Sequence, residues 1–151
     1  MGILTPRRLD IAVKVGFFRH LVNDDDPESI IDYGLHINGR TGGAEPGSSK
    51  TTLRDYIVEA CKLLDSMMKH GFDTSSPIVL CRTPRLRNGA HRLSCALTLG
   101  IVPYRVLHNE PGRSPPWDRA VMERSGLNSA RINAAEKCLR ELRAKIADCY
   151  E

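Results

Sequence analysis

The 151-residue chain is poor in several features that would settle its class at once. No run approaches the roughly 18 apolar residues that a membrane-spanning helix needs, so a soluble chain is expected. The start, MGILTPRRLD, lacks a charged region followed by an apolar core and a small-residue cleavage site, which predicts no secretory signal. Cysteine is sparse and unpaired in pattern. Cys61, Cys81, Cys95, Cys138 and Cys149 are odd in number and contain no C-x-x-C pair, so they read as reduced, mostly buried thiols. His20, His36, His70, His91 and His108 form no ligand-spaced cluster with them, which argues against zinc. A cytoplasmic location is the expectation. Phe, Tyr and Trp total only 3, 4 and 1, too few for a protein that stacks single-stranded bases on aromatic rings. No internal repeat is present.

What the chain has is arginine. Lys and Arg together number 22 and only six are Lys, while Arg82, Arg85, Arg87, Arg92 and Arg105 lie in or beside one stretch, Pro77 to Leu107. Arginine's rigid fork suits phosphate or carboxylate, so the clustering points to an anionic ligand. At the centre of this stretch stands Arg87-Asn88-Gly89-Ala90-His91-Arg92. A β-prone run, Ile78 to Leu80, leads through a turn to Gly89, and Ala90 to Leu99 has helical composition before the Gly100 stop. A second strand is predicted over Val102–Leu107. The unit therefore reads strand, loop, helix, strand. Its glycine marks a helix N-terminus, where unpartnered backbone N–H groups and the helix dipole favour an anion.

Length and an ordinary content of 41% hydrophobic and 26% charged residues predict one domain, 1–151, with a real core. Pro6 to Leu21 spaces Leu9, Val13, Phe17 and Leu21 as one helix face, with Thr5 as N-cap and Asp10–Lys14 as a supporting i,i+4 pair. Asn23 to Pro27 reads as a solvated loop and cap, Glu28 to Tyr33 as a short helix closed by Gly34, and Leu35 to Asn38 as a short strand. Gly39 to Thr51 is a glycine-rich loop carrying Arg40, Glu45 and Lys50. It ends in Gly-Ser-Ser-Lys-Thr but fails the P-loop spacing. From a Thr51 or Thr52 cap, Leu53, Ile57, Ala60, Leu64, Met67 and Met68 mark a long helix ending at Lys69, His70 and Gly71. After a turn-rich segment over 108–116, a short helix spans Trp117 to Arg124. Asn128 or Ser129 then caps a final helix whose seam is Ile132, Ala135, Leu139, Leu142, Ile146 and Cys149.

From about Leu53 to Leu107 the chain resembles the ParB/sulfiredoxin-like superfamily: a helix ending in a turn, a strand, then Asn88-Gly89-Ala90-His91-Arg92 as its Gly-x-His-Arg turn, a helix, and LTLGIVPYRVL continuing into the next strand. The resemblance implies a small α/β fold with a mixed sheet. It divides the chain into a helical N-terminal extension (1–34), a ParB/sulfiredoxin-like core (35–107) and C-terminal helices (117–150). It also implies that nucleotide phosphates are held at the start of the Gly89 helix. Sulfiredoxins carry a reactive cysteine between the glycine and the histidine, and Ala90 occupies that position here. Partition proteins need a DNA-reading domain that the residues after Leu107 are too few to supply.

The nearest branch is similar to free-amino-acid kinases, such as the ATP- or ADP-dependent serine kinases, which implies ATP or ADP with Mg²⁺ and a small hydroxyl-bearing acceptor. In that branch the residue before the glycine is commonly Asp, and here it is Asn88. The base must then come from elsewhere, with Glu45 the candidate and Asp32 behind it. The expected site is Glu45 and His91 as catalytic residues, with Asn88, Gly89, Ala90, His91, Arg92, Lys50 and Arg87 holding the nucleotide. Phosphoryl transfer asks mainly for fixed, neutralised phosphates, which such donors provide. The alternative is a non-catalytic nucleotide- or nucleic-acid-binding module, with a nuclease a weaker third.

Overall fold

The computed structural model describes residues 3–42, 47–80, 86–101, 106–108 and 116–148. Expectations for Cys81, Cys149, Arg82, Arg85, Arg105, Glu45, the start of the second strand and the segment 109–115 lie outside the described residues. Among the described residues the chain is mixed α/β and mostly helical. It runs α1 (Leu9–Asn23), α2 (Glu28–Thr41), α3 (Leu53–His70), β1 (Ile78–Leu80), β2 (Leu86–Asn88), α4 (Ala90–Leu99), β3 (Val106–His108), α5 (Arg119–Arg124) and α6 (Ser129–Asp148). The strands form a small sheet in the order β2-β1-β3, with β2 antiparallel and β3 parallel to β1. β2 was not expected. Three residues beside the arginine-rich turn carry no strand periodicity of their own, and the pairing of Leu80 with Leu86 defines them.

α1 is the hub. It packs on α2, α4 and α6. Leu9, Ile11, Val15, Phe17 and Phe18 are fully or almost fully buried, so apolar residues occur all round the helix, as a central helix requires. Its start lies later than Pro6, because residues 5–8 make a turn and the following backbone pairs with Trp117: Leu9 N–H donates to Trp117 O (3.0 Å) and Trp117 N–H to Arg7 O (2.8 Å). Two apolar clusters fill the interior. One joins Ile11 and Val15 to Ile78, Leu93, Met122, Ile132 and Leu139. The other joins Phe17, Phe18, Tyr33 and Ile37 to Tyr56, Met67 and Cys95.

The helix expected to stop at Gly34 and the strand expected over 35–38 are instead one helix, α2, which also runs without a break across the anticipated boundary at residue 34. Tyr33, His36 and Ile37 lie on one buried face at helical spacing, and burying that face outweighs the ~1 kcal/mol that an internal glycine costs. Gly34 serves packing, since a Cβ there would meet Leu53 Cδ2 at 3.1 Å. The stop falls at Gly42, in the left-handed conformation with φ 64°. The glycine-rich loop therefore begins later than Gly39.

α3 begins as expected: Thr52 and Asp55 form a capping box. Its inward face uses Tyr56, Ala60, Leu64 and Met67, while Met68 is 62% exposed. α4 and its Gly100 stop fall where the sequence put them. Asp118 caps α5, and Asn128 Oδ1 accepts from Arg131 N–H at the start of α6. Asp26 is not merely solvated, because Arg131 reaches back from α6 to Asp26 (2.7 Å) and Asp32 (2.6 Å). Cys61 is exposed, whereas Cys95 is buried.

Candidate functional site

The junction at Gly89 is built from both sides. Gly89 has φ 93°, a conformation that an L side chain resists, and a Cβ there would stand 3.3 Å from Ile78 Cα in the neighbouring strand. Asn88 Oδ1 accepts from Gly89 N–H (2.7 Å), which folds the turn. The first helical bond runs from Leu93 N–H to Gly89 O (2.8 Å). The N–H groups of Ala90, His91 and Arg92 thus precede the intrahelical ladder and point outward from its positive end.

His91 and Arg92 are anchored differently. The Tyr33 hydroxyl lies 2.8 Å from His91 Nε2, and Tyr33 itself stacks on Phe17 with ring centres 4.1 Å apart. Burial holds His91 well below the usual histidine range, and Lys14, Lys50, His36 and Arg40 push it the same way, so the ring is neutral. The Arg92 guanidinium donates to Pro77 O (3.1 Å), which ties α4 to the approach to β1.

These residues open on a cavity of about 440 Å³, a size ordinary for small-molecule sites. Asn88, Gly89, Ala90, His91, Arg92, Arg87 and Lys50, all expected at the site, line it together. Lys50 Nζ also lies 4.9 Å from the centre of the Tyr56 ring. Glu45 lies outside the described residues. Asp32 does not belong to this cavity. It sits on the α6 side of α2, bound to Arg131, where burial pushes its carboxyl above the usual range against the pull of that arginine. Its place as reserve base is thereby withdrawn.

The same cavity holds what the sequence reading missed. Asp10 and Lys14, read as a supporting i,i+4 pair, are 2% and 1% exposed. Lys14 Nζ lies 3.1 Å from Asp10 Oδ2 and 2.9 Å from His36 Nε2. Arg8 donates to both oxygens of Asp10 (2.8 and 2.7 Å) and to Leu86 O (2.8 Å), which fixes this cluster beside the β2 strand that leads into Gly89. Burial lowers Lys14 to about 8, opposed by Asp10 and reinforced by Arg8 and Arg40. His36 is held neutral by burial and by Lys14. Asp10 stays ionised: burial raises its carboxyl, but Lys14 and Arg8 together bring it well below the usual range. The available signal was that apolar residues surround Asp10 and Lys14 on every side of the α1 sequence.

Buried polar atoms lacking a hydrogen-bond partner include His36 Nδ1, Tyr56 Oη and Arg92 Nε, and all three residues line this cavity. Buried polar groups are ordinarily satisfied, so these atoms are candidate contacts for a polar ligand. Cavity-lining carboxylates are Asp10, Glu59 and Asp73. Among the described residues no three His, Cys, Asp or Glu converge as a metal-binding group. Cys95 does not contribute a reactive thiol, since burial pushes it up to about 12. No helix among the described residues is long and apolar enough to cross a membrane.

Compared with known proteins, the chain matches no family model, no curated protein and no solved structure.

Proposed function

We propose that the protein is a nucleotide-dependent phosphotransferase of the ParB/sulfiredoxin-like type, which moves a phosphoryl group between ATP or ADP and a small hydroxyl-bearing metabolite. The observation that carries this reading is the position of the α4 N-terminus in a cavity that also receives Arg8, Lys14, Arg40, Lys50, Arg87 and Arg92. Backbone N–H groups of Ala90 to Arg92 cradle the phosphates, and the guanidinium and ammonium groups offset their charge. Mg²⁺ normally rides on the phosphates with one or two carboxylates, and Glu59 and Asp73, the exposed carboxylates among the cavity-lining residues, are the ones that would hold it. The metal would supply charge neutralisation at the transferring phosphoryl group.

A recessed cavity supports a small ligand over a nucleic-acid strand. Calorimetry with Mg-ATP and Mg-ADP tests the reading. The expectation is binding that Arg92→Ala abolishes, and turnover when a hydroxylated metabolite is present. Absence of any nucleotide binding removes the proposal. Affinity for an oligonucleotide that falls steeply with salt would favour the nucleic-acid module instead.

A further inference from the structure

Asn88 leaves the phosphate-binding turn without a base, and the same cavity contains a chain of groups suited to move a proton. His36 Nδ1 is buried without a partner on the cavity wall. Its other nitrogen, Nε2, lies 2.9 Å from Lys14 Nζ, which lies 3.1 Å from Asp10 Oδ2. Asp10 is itself fixed by two bonds from Arg8. We propose that Asp10, Lys14 and His36 form a proton relay whose unpartnered end, the buried His36 Nδ1, takes the proton from the acceptor's hydroxyl. This inference rests on the phosphotransfer reading.

The step balances as follows. The acceptor's O–H bond breaks and its proton binds His36 Nδ1, while the Nε2 proton passes to the lone pair of Lys14 Nζ. The oxygen's electron pair forms the new bond to the terminal phosphorus of the nucleotide. The bond from that phosphorus to the bridging oxygen breaks, and the shortened nucleotide leaves with the electron pair. Lys14, now an ammonium beside the Asp10 carboxylate, then returns a proton to His36 Nε2 as the Nδ1 proton leaves to solvent through the cavity, which restores the neutral amine and the starting tautomer.

The relay works only from one tautomer. When Lys14 is neutral its amine accepts from His36 Nε2–H, which leaves Nδ1 bare and able to take a proton. When Lys14 is charged it donates to Nε2, so the ring hydrogen sits on Nδ1 and that end is blocked. The groups that set this balance are Asp10 and Arg8 at the start of α1, His36 and Arg40 on α2, His91 on α4, and Lys50 before α3. Burial brings Lys14 to about 8, where both states are populated near neutral pH. Asp10 and Lys14 are positioning residues, and His36, fully buried in the cavity wall, is the group assigned to take the proton.

The test begins with the intact protein. Long-range ¹H–¹⁵N spectra of the His36 ring, assigned with His36→Gln, should show the hydrogen on Nδ1 below pH 7 and on Nε2 above pH 9, with a midpoint near the Lys14 value. Lys14→Met should abolish the reversal; should that variant fail to fold, the wild-type titration decides. One tautomer throughout, or an imidazolium in this range, overturns the relay. With Mg-ATP and water as acceptor, phosphate release should rise with pH through the same midpoint and fall about 10²-fold in His36→Gln. A release rate flat in pH, or unchanged in H36Q, also overturns it. Absence of nucleotide binding with the tautomer reversal intact overturns the phosphotransfer reading and not the relay.

Discussion

The hydroxyl of Tyr33 on α2 lies 2.8 Å from Nε2 of His91 in the first turn of α4, so a residue expected to act on ligand is also held by a helix that the sequence reading placed in an extension. Tyr33→Phe removes this bond while keeping the ring stacked on Phe17. The expected loss is about 1 kcal/mol of stability in urea denaturation. Because His91 Nε2 is then unpartnered, Mg-ADP affinity should weaken several-fold by calorimetry. Unchanged affinity would show that the bond serves packing alone.

Gly89 and Gly100 bracket α4 with positive φ at both ends, but only Gly89 has a strand against it. Gly89→Ala should cost about 1–3 kcal/mol and displace the turn proposed to hold phosphate, so the expected nucleotide binding is lost as well. Gly100→Ala meets nothing within 4 Å. It should cost about 1 kcal/mol and leave binding intact. Thermal melts and calorimetry on the pair separate strain from site geometry.

The buried cluster makes a stability prediction with a sign. Lys14 titrates near 8 in the folded chain and near 10.5 when unfolded. Between those values the unfolded chain binds more protons, so the Lys14 contribution makes stability rise with pH. Cys95, pushed up to about 12, opposes this from about pH 9, because its thiol ionises only in the unfolded chain there. The difference between wild type and Lys14→Met, followed by denaturation from pH 7.5 to 9, therefore isolates the lysine. Asp10→Asn leaves Arg8 and Lys14 facing each other without the carboxylate and should cost about 3–5 kcal/mol.

On the acid side the histidines dominate first. His36 and His91 are both held neutral by burial, while in the unfolded chain they gain protons below about pH 6.5. The unfolded chain then binds more protons, so stability falls as pH drops below that value. Asp10, whose folded pKa is depressed, adds a further loss as pH falls below the ordinary carboxylate range near 3.8. Replacing His91 by Gln should flatten the upper part of this decline in a pH series of urea midpoints.

The site was legible where the backbone demands a residue type and obscure where packing decides. Gly89, the helix from Ala90 to Leu99 and the Gly100 stop announce themselves through turn and cap chemistry, which is local. So does the Thr52–Asp55 box of α3. Gly34 misled because a glycine reads as a stop unless one knows that Leu53 presses against it. Asp10 and Lys14 misled in the same way. Their spacing is that of a surface pair, and only the surroundings of α1 on α2, α4 and α6 turn them into an interior cluster. β2 owes its existence to Leu80 and could not be seen in its own three residues.

The central place of α1 bears on how the chain is made. Its partners α4 and α6 begin at Ala90 and Ser129, so the helix emerges from the ribosome long before the surfaces that shelter Ile11, Val15 and Phe17 exist. Until α4 and then α6 arrive, a helix with apolar residues all round has only α2 within short reach, a state exposed to chaperones and to self-association.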